Sequence, residues 1–394
     1  MKAGGALILA ADAGQAARLA VGQATDSLGG QPPAFAVLFA SPHFSASAGD
    51  LVAAVSDLTG GTPLIGCVAS AVAGGALEVE SEPAVSLWLA AGLGPVETFA
   101  MEFVPTASGG AFGGYRFGPY QSGTGPAGMH LMICDPLTFP AEDLLAHLNR
   151  HVRGAVVMGG MASGGLTQRR SLLFRDGTVL TDGAVGAHLP GAAVRSLVAQ
   201  GCRPVGDPYT VTRADGNLVF ELGGRPPLAR LREMAATLPV RDTELLAAGP
   251  HLGLVIDEYQ SEEARQGDFL VRGIVGADPA SGAMAVAGDV EVGQTVQFHV
   301  RDARSADDDL RRVLEREAGR LGGRPPAGAL LFTCTGRGSR MFPGPDHDAG
   351  LLTELLGQIP VAGFFCDGEL GPVGGQNFLH TFTASIALFP DEAG

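Results

Sequence analysis

A repeated pattern of apolar runs constrains most strongly what this chain can fold into. Three times, an apolar run is followed by an amphipathic helix, by a second apolar run and by a third strand. The parts of the three copies lie at 36–40, 50–58, 64–70 and 84–90, then 130–134, 141–152, 155–163 and 171–175, then 329–334, 348–356, 361–368 and 380–389. Apolar runs of strand length that alternate with helical periodicity indicate mixed α/β structure. The sequence therefore predicts repeated βαββ modules whose sheets pack under outer helices, either face to face or as a closed barrel.

The end of the middle strand distinguishes the third copy from the other two. In every copy this strand ends in small residues, which let neighbouring backbones approach closely. Only the third copy adds acidic side chains, with Asp367 and Glu369 on either side of Gly368. Residues two apart in a strand point to the same side, so both carboxylates could enter one site. The alternative is an Asp-Gly turn with solvated carboxylates.

The charged residues exclude several classes of function. The formal net charge of −15 disfavours nucleic acid as a partner, because phosphate binding needs clustered cations. Lys2 is the only lysine, and Schiff-base enzymes, P-loop NTPases and kinases all need a lysine in the site. No apolar run approaches the roughly 18–20 residues that span a bilayer, so we expect no membrane partner either.

The first residues and the cysteines indicate the compartment. Residues 6–11 form a short apolar run that ends at Asp12 without a clear cleavage site, which is typical of a strand rather than a signal peptide. The five cysteines are odd in number and include no Cys-x-x-Cys, so we expect reduced thiols and a cytoplasmic protein. A length of 394 residues favours two domains over one.

Two histidines raise the question of a metal. His147 and His151 are four residues apart on a predicted helix, with Asp143 one turn earlier. Leu148 stands where a metalloprotease helix would carry glutamate, and the apolar face of this helix directs the histidines to solvent. We therefore expect no metal, and no other cofactor.

Several segments together make the chain similar to the FIST family, whose members pair a FIST N-terminal and a FIST C-terminal domain. The N-terminal segments are Asp182–Gly186, Gly201–Gly206 and Val211-Thr212, followed by Glu221-Leu222. The C-terminal segments are Asp268–Arg272, Gly293–Phe298 and Gly363–Pro372. The order and spacing of these segments extend over residues 30–390. The resemblance implies an N-terminal FIST domain at 30–238 and a C-terminal one at 239–391.

The resemblance also implies a sensory, signal-transducing role in which the protein binds a small ligand such as an amino acid. Glu369 and Asp367 would take the cation of the ligand, and Arg272 or Arg340 its carboxylate. The remaining residues that we expect around the ligand are Gly368, Asn377, Cys366, Cys67 and Ser163. Many family members are fused to signalling domains, so a separate signalling protein is the expected partner here.

Two of the arginines have structural alternatives. Arg272 lies among apolar neighbours and could equally form an ion pair with Glu369 or Asp257, because an unpaired buried charge is costly. Arg337 lies in the same Gly- and Ser-rich loop as Arg340, and we expect Arg337 to be a mobile surface residue.

Two other functions remain open. One is a hydrolase or amidase that uses Cys67, Ser70 or Cys366, although no Gly-x-Ser-x-Gly motif is present. The other is a scaffold that binds a protein through the long loop Ser108–Gly128. A thiol beside a histidine would favour the enzyme, and an exposed apolar patch without a pocket would favour the scaffold.

Overall fold

The computed structural model describes residues 1–106, 109–118, 128–165, 170–258 and 264–391. The chain forms two compact units. The first contains Met1–Val198, Leu310–Leu379 and Thr383–Gly394, and the second contains Ala199–Asp309 and His380–Phe382. The compact units do not correspond to the two domains predicted from the sequence, so the division after residue 238 stays a prediction. No helix among the described residues is long and apolar enough to cross a membrane.

The first repeat contains two helices and six strands. They are β1 (Lys2–Leu9), α1 (Ala13–Asp26), β2 (Phe35–Ala40), α2 (Ala48–Leu58), β3 (Leu64–Val68), β4 (Val72–Gly74), β5 (Leu77–Val79) and β6 (Ala84–Ala91). Helix α1 begins where Asp12 accepts a hydrogen bond from the backbone N–H of Gln15 at 2.7 Å, which satisfies one of the unpaired donors of the first turn.

The second repeat has one helix among its described residues. Its elements are β7 (Glu97–Thr106), β8 (Gly109–Gly113), β9 (Met129–Cys134), α3 (Ala141–His151), β10 (Val157–Met161), β11 (Leu173–Arg175), β12 (Thr178–Leu180) and β13 (Ala184–Leu189). The long loop predicted at Ser108–Gly128 falls partly outside the described residues, and 109–113 of it forms β8.

The third repeat begins with β14 (Arg195–Gln200) and is interrupted by the second compact unit. That unit contains β15 (Cys202–Asp215), β16 (Leu218–Leu222), α4 (Pro227–Ala235), α5 (Val240–Ala247), β17 (Pro250–Val255), β18 (Phe269–Ala277), β19 (Met284–Val286) and β20 (Thr295–Arg301). The repeat resumes with α6 (Ala303–Leu321), β21 (Gly328–Cys334), α7 (His347–Leu356), β22 (Val361–Cys366), β23 (Glu369–Val373), β24 (Gln376–His380) and β25 (Thr383–Phe389).

The second unit is a closed six-stranded barrel with the strand order β15-β16-β19-β18-β17-β20. Strands β15 and β16 form the hairpin that Asp215-Gly216 predicts, and Gly216 adopts the positive φ of +54° that this tight turn needs. The residues that fill the barrel alternate along its strands; among them are Val211, Val219, Leu252, Met284, Val296 and Phe298.

In the first unit, a hairpin from each repeat pairs with the sheet of another repeat. The β4–β5 hairpin pairs with β22, the β11–β12 hairpin with β3, and the β23–β24 hairpin with β10. Three open sheets result, with the orders β1-β6-β2-β3-β11-β12, β24-β23-β10-β9-β13-β7-β8 and β14-β25-β21-β22-β4-β5. The predicted mixed α/β fold of repeated modules with packed sheets is confirmed, with both open sheets and a barrel present.

One strand assignment from the sequence was wrong. Residues 171–175 were predicted to be the third strand of the second module, but 173–175 is β11, the first strand of the exchanged hairpin. Strand β13 holds the position that β6 and β25 hold in the other repeats, next to β9. Both segments are short and apolar, and only long-range pairing distinguishes them.

The three sheets enclose one apolar core between their inner faces. The rings of Phe39, Phe332 and Phe364 meet there, with centroid separations of 4.7 Å (Phe39–Phe364), 5.8 Å (Phe332–Phe364) and 6.4 Å (Phe39–Phe332). Helices α1 and α2 cover the outer face of the first sheet through a second apolar cluster. The core thus places the ends of β3, β10 and β22 near each other.

Glycine is required where the middle strand of each repeat passes its parallel neighbour. A Cβ on Gly66 would lie 1.8 Å from the carbonyl oxygen of Leu38, and a Cβ on Gly159 would lie 1.8 Å from that of Met132. At the equivalent Gly363 the separation from the oxygen of Leu331 would be 2.3 Å. These glycines therefore set the spacing of the parallel strands.

Candidate functional site

The predicted residues at the end of the middle strands lie together in the structure. Ser163 accepts a hydrogen bond from the backbone N–H of Ser70 at 2.9 Å and donates one to the carbonyl oxygen of Phe365. The Sγ of Cys366 lies 2.4 Å from where a Cβ on Gly160 would stand. The three repeats therefore meet at this point. We call the region formed by Cys67, Ser70, Ser163, Thr335, Arg340, Cys366, Asp367, Gly368 and Glu369 the strand-end site.

Asp367 and Gly368 are joined to the second repeat through their backbones. The N–H of Asp367 donates to the carbonyl of Met161 at 3.0 Å, and the N–H of Met161 donates to the carbonyl of Gly368 at 2.8 Å. The Asp367 carboxylate accepts a hydrogen bond from Thr335 at 3.1 Å. Burial raises the pKa of Asp367, while the Thr335 hydrogen bond and the charge of Arg340 oppose that rise.

Arg340 brings a positive charge close to Asp367 in the strand-end site. It ends a short 3₁₀ turn at Gly338–Arg340 and is exposed to solvent. Its charge acts on Asp367, which is half-buried. A carboxylate and a guanidinium therefore stand at the same strand ends.

Glu369 is wholly buried beneath these residues. Its Oε2 accepts hydrogen bonds from the N–H of Thr383 at 3.1 Å and from its hydroxyl at 2.8 Å. Its Oε1 has no hydrogen-bond partner among the described residues. Burial raises the pKa of Glu369 to about 8, and the hydrogen bonds from Thr383 only partly oppose this. At neutral pH the Glu369 side chain is therefore largely uncharged, and Asp367 is the acidic residue that supplies negative charge to the site.

The raised pKa of Glu369 predicts a pH-dependent stability. The folded state keeps a proton that the unfolded state loses near pH 4.5, so this contribution to stability is complete below pH 4.5 and is lost as the pH rises toward about 8. The loss is about 1.4 kcal/mol per pH unit within that window. We expect Glu369→Gln, which cannot ionise, to escape this loss.

The measurement is the free energy of unfolding of both proteins from pH 5 to pH 9. The wild type should lose stability relative to Glu369→Gln as the pH rises. Glu315→Gln, at an exposed position of α6, is the control and should follow the wild type. Parallel curves for wild type and Glu369→Gln would show that Glu369 ionises normally in the folded protein.

Asn377 is not part of the strand-end site, and its side-chain amide is held by several hydrogen bonds. Its Oδ1 accepts from the N–H of Val157 at 2.9 Å, and its Nδ2 donates to the carbonyl of Ala155 at 2.8 Å and to Asn149 at 3.2 Å. Asn377 is 3% exposed. Its amide therefore joins β24 to β10 and α3.

Arg272 lies in the barrel, on β18, and is buried. The barrel is the second compact unit, whereas Arg340, Asp367 and Glu369 belong to the first. Of the two arginines predicted for a ligand carboxylate, only Arg340 shares a compact unit with the acidic residues.

Arg337 corrects an expectation from the sequence. It was predicted to be a mobile surface residue, but it is wholly buried. Its Nε and Nη2 each donate to an oxygen of Asp348 at 2.7 Å, and its guanidinium lies 5.2 Å from the centroid of the Phe342 ring. Burial alone would raise the pKa of Asp348, but the charge of Arg337 holds it well below its usual range.

Glu78 completes this buried cluster at the start of α7. Its Oε1 accepts hydrogen bonds from the N–H groups of Asp348 at 2.8 Å and Ala349 at 2.9 Å, which are donors that the first turn of a helix leaves unpaired. Burial, and next the charge of Asp348, raise the pKa of Glu78 to about 8. Asp346, the residue before α7, accepts a hydrogen bond from the N–H of Glu78 at 2.6 Å.

The cysteines considered as nucleophiles are unsuited to that role. Cys67 and Cys366 are both fully buried, and burial raises the pKa of each thiol well above its ordinary value. A thiolate is the reactive species, so neither side chain is poised for nucleophilic attack. Among the residues that the structure describes, no three His, Cys, Asp or Glu side chains are grouped as metal ligands.

Comparison with known proteins matches two family models to successive parts of the chain. A family model described as the FIST N domain matches residues 34–225, and one described as the FIST C domain matches residues 228–372. The chain belongs to the FIST family. FIST domains are commonly sensory signal-transduction domains.

Relatives of similar length occur in mycobacteria. The uncharacterized protein Rv0628c of Mycobacterium tuberculosis is 50% identical over 391 residues, which are 99% of this chain and 100% of that protein. The uncharacterized protein Mb0898c of Mycobacterium bovis is 49% identical over 392 residues, which cover 100% of both chains.

Proposed function

We propose that this protein is a cytosolic sensor that binds a small zwitterionic metabolite, of the amino-acid type, at the strand-end site. The observation that carries the proposal is the placement of the Asp367 carboxylate and the Arg340 guanidinium at the point where three strand ends meet. Ligands of open α/β sheets bind outside the carboxyl ends of parallel strands, where β3, β10 and β22 end here.

The two charges fit the two ends of such a ligand. The ammonium group would contact Asp367, and the carboxylate would accept hydrogen bonds from the guanidinium of Arg340, which can bind it with two parallel N–H groups. The hydroxyl groups of Thr335 and Ser70 lie beside them and can bind further polar atoms. Glu369 would stay protonated beneath the ligand and keep the site from collecting a second negative charge.

In a sensor, ligand binding has to be transmitted to other components of a signalling pathway. We propose a separate signalling protein as the partner, which is consistent with the sensory role common among FIST domains. The raised thiol pKa values of Cys67 and Cys366 speak against a hydrolase that uses either of these cysteines as its nucleophile.

The test is a thermal-shift screen of the standard amino acids, followed by calorimetry of each hit. We expect at least one amino acid to raise the Tm, and Asp367→Asn and Arg340→Gln each to weaken its binding by about ten-fold or more. Arg18→Gln, at an exposed position of α1, is the matched control and should bind as the wild type does. The proposal fails if no amino acid shifts the Tm, or if Asp367→Asn binds as tightly as the wild type.

A further inference from the structure

A cavity of about 470 Å³ lies on the outer side of the second repeat, away from the residues of the strand-end site. It is bounded by α3 on one side and by β7, β8 and residues 115–117 on the other. Its volume is within the range of roughly 300–1,000 Å³ that small-molecule sites occupy. None of the nine residues of the strand-end site lines it.

The cavity lies beside the segment that joins β7 to β9. In the first repeat, helix α1 lies between β1 and β2, and in the third repeat α6 precedes β21. The described residues between β7 and β9, which are 109–118 and 128, contain β8 and no helix. Strand β8 and the aromatic residues at 115–117 line one side of the cavity, and space remains between them and α3.

The inner wall of the cavity is apolar and rich in aromatic rings. Its apolar side chains include Phe112, Tyr115, Phe117, Leu144, Leu148 and Val152. The ring of Tyr115 stacks on Phe99 with a centroid separation of 3.8 Å and meets Phe117 edge-on at 5.1 Å. Contacts among the rings hold this wall in place, so an apolar ligand body would meet a preformed surface.

The rim of the cavity carries more positive than negative charge. Arg116 and Arg150 line it together with Asp143 and His147, and all four are exposed. Asp143 and His147 are one helical turn apart on α3. Two guanidinium groups against one carboxylate make a cationic rim on a chain whose net charge is −15.

We propose that this cavity is a second binding site and that it takes a small organic acid with an aromatic or branched apolar body. The apolar body would lie against the rings of Tyr115 and Phe117. The acid group would remain at the rim, where Arg116 and Arg150 can donate charge-assisted hydrogen bonds to it. The cationic rim distinguishes this ligand class from the zwitterion proposed for the strand-end site.

Three probes with the same apolar body but different charged groups test the proposal. They are 3-phenylpropionate, phenylalanine and phenethylamine, titrated calorimetrically into the full-length protein. We expect 3-phenylpropionate to bind about ten-fold or more tightly than phenethylamine, and Arg116→Gln/Arg150→Gln to weaken its binding by a similar factor. Arg153→Gln removes an exposed arginine that does not line the cavity and should bind as the wild type does.

The outcomes separate this site from the strand-end site. Equal binding of the acid and the amine, or no binding of the acid, overturns the proposal. So does acid binding that survives in Arg116→Gln/Arg150→Gln. Phenylalanine can also bind at the strand-end site. If its binding persists in the double variant but is lost in Asp367→Asn, it is assigned to the strand-end site, and the binding of 3-phenylpropionate alone then decides between support and rejection.

Discussion

Gly66→Ala is expected to abolish cooperative folding of the first compact unit. The new Cβ would stand 1.8 Å from the carbonyl oxygen of Leu38, which is backbone and cannot rotate away. Strand β3 would have to move off β2, and the central core that both strands line would open. Overpacking a core usually costs about 1–3 kcal/mol, and a backbone clash inside a parallel strand pair should exceed that range. Thermal unfolding followed by circular dichroism measures the effect.

A glycine elsewhere in the same unit provides the control. Gly22 is exposed in the middle of α1, and a Cβ there would meet no atom within 4 Å. Gly22→Ala should therefore raise the stability by about 0.5–1 kcal/mol, because alanine favours the helix. If Gly66→Ala unfolded at the wild-type temperature, the close spacing of β2 and β3 would be wrong.

Arg337→Met is expected to destabilise the protein by about 3–5 kcal/mol, because it leaves the buried carboxylate of Asp348 without its cation. Neither side chain of this pair reaches solvent to any useful extent. The start of α7 should be affected first, since Asp348 lies in its first turn. Urea denaturation at pH 7 measures the loss of free energy.

A surface ion pair is the matched comparison. Arg311 and Glu354 are 2.9 Å apart at the surface, with side chains 37% and 59% exposed, so Arg311→Met should cost no more than about 1 kcal/mol. The double variant Arg337→Met/Asp348→Leu removes both buried charges and should regain part of the lost stability. A loss for Arg337→Met as small as that for Arg311→Met would argue that Asp348 is not buried as an ion.

The sequence could predict the elements whose causes are local. The apolar runs of the repeats, the helices between them and the hairpin at Asp215-Gly216 all follow from patterns within a few residues. The exchange of hairpins could not be predicted, because β4 and its partner β22 are almost 300 residues apart. The sequence of an apolar strand does not indicate which sheet it will join. For this reason 171–175 was predicted to be the third strand of the second module.

The candidate site shows the same division between local and distant causes. The grouping of Asp367, Gly368 and Glu369 follows from their adjacency in the chain. The burial of Arg337 depends on Asp348 and on Glu78, which lies some 260 residues earlier and reaches the start of α7 only through the exchanged hairpin. The cavity beside α3 depends on the element that covers the second sheet, which no motif in the sequence indicates.

The exchange of hairpins also determines how late in its synthesis this protein can complete its fold. The first sheet has all its strands once β12 is translated, but the sheet of the second repeat needs β23 and β24, and the hairpin at 72–79 needs β22. A ribosome must therefore translate nearly the whole chain before the other two open sheets have all their strands. Until then the open edges of β10 and the early hairpin are available for pairing with other chains. The nascent protein therefore exposes unpaired strand edges for longer than a chain of independently folding domains does.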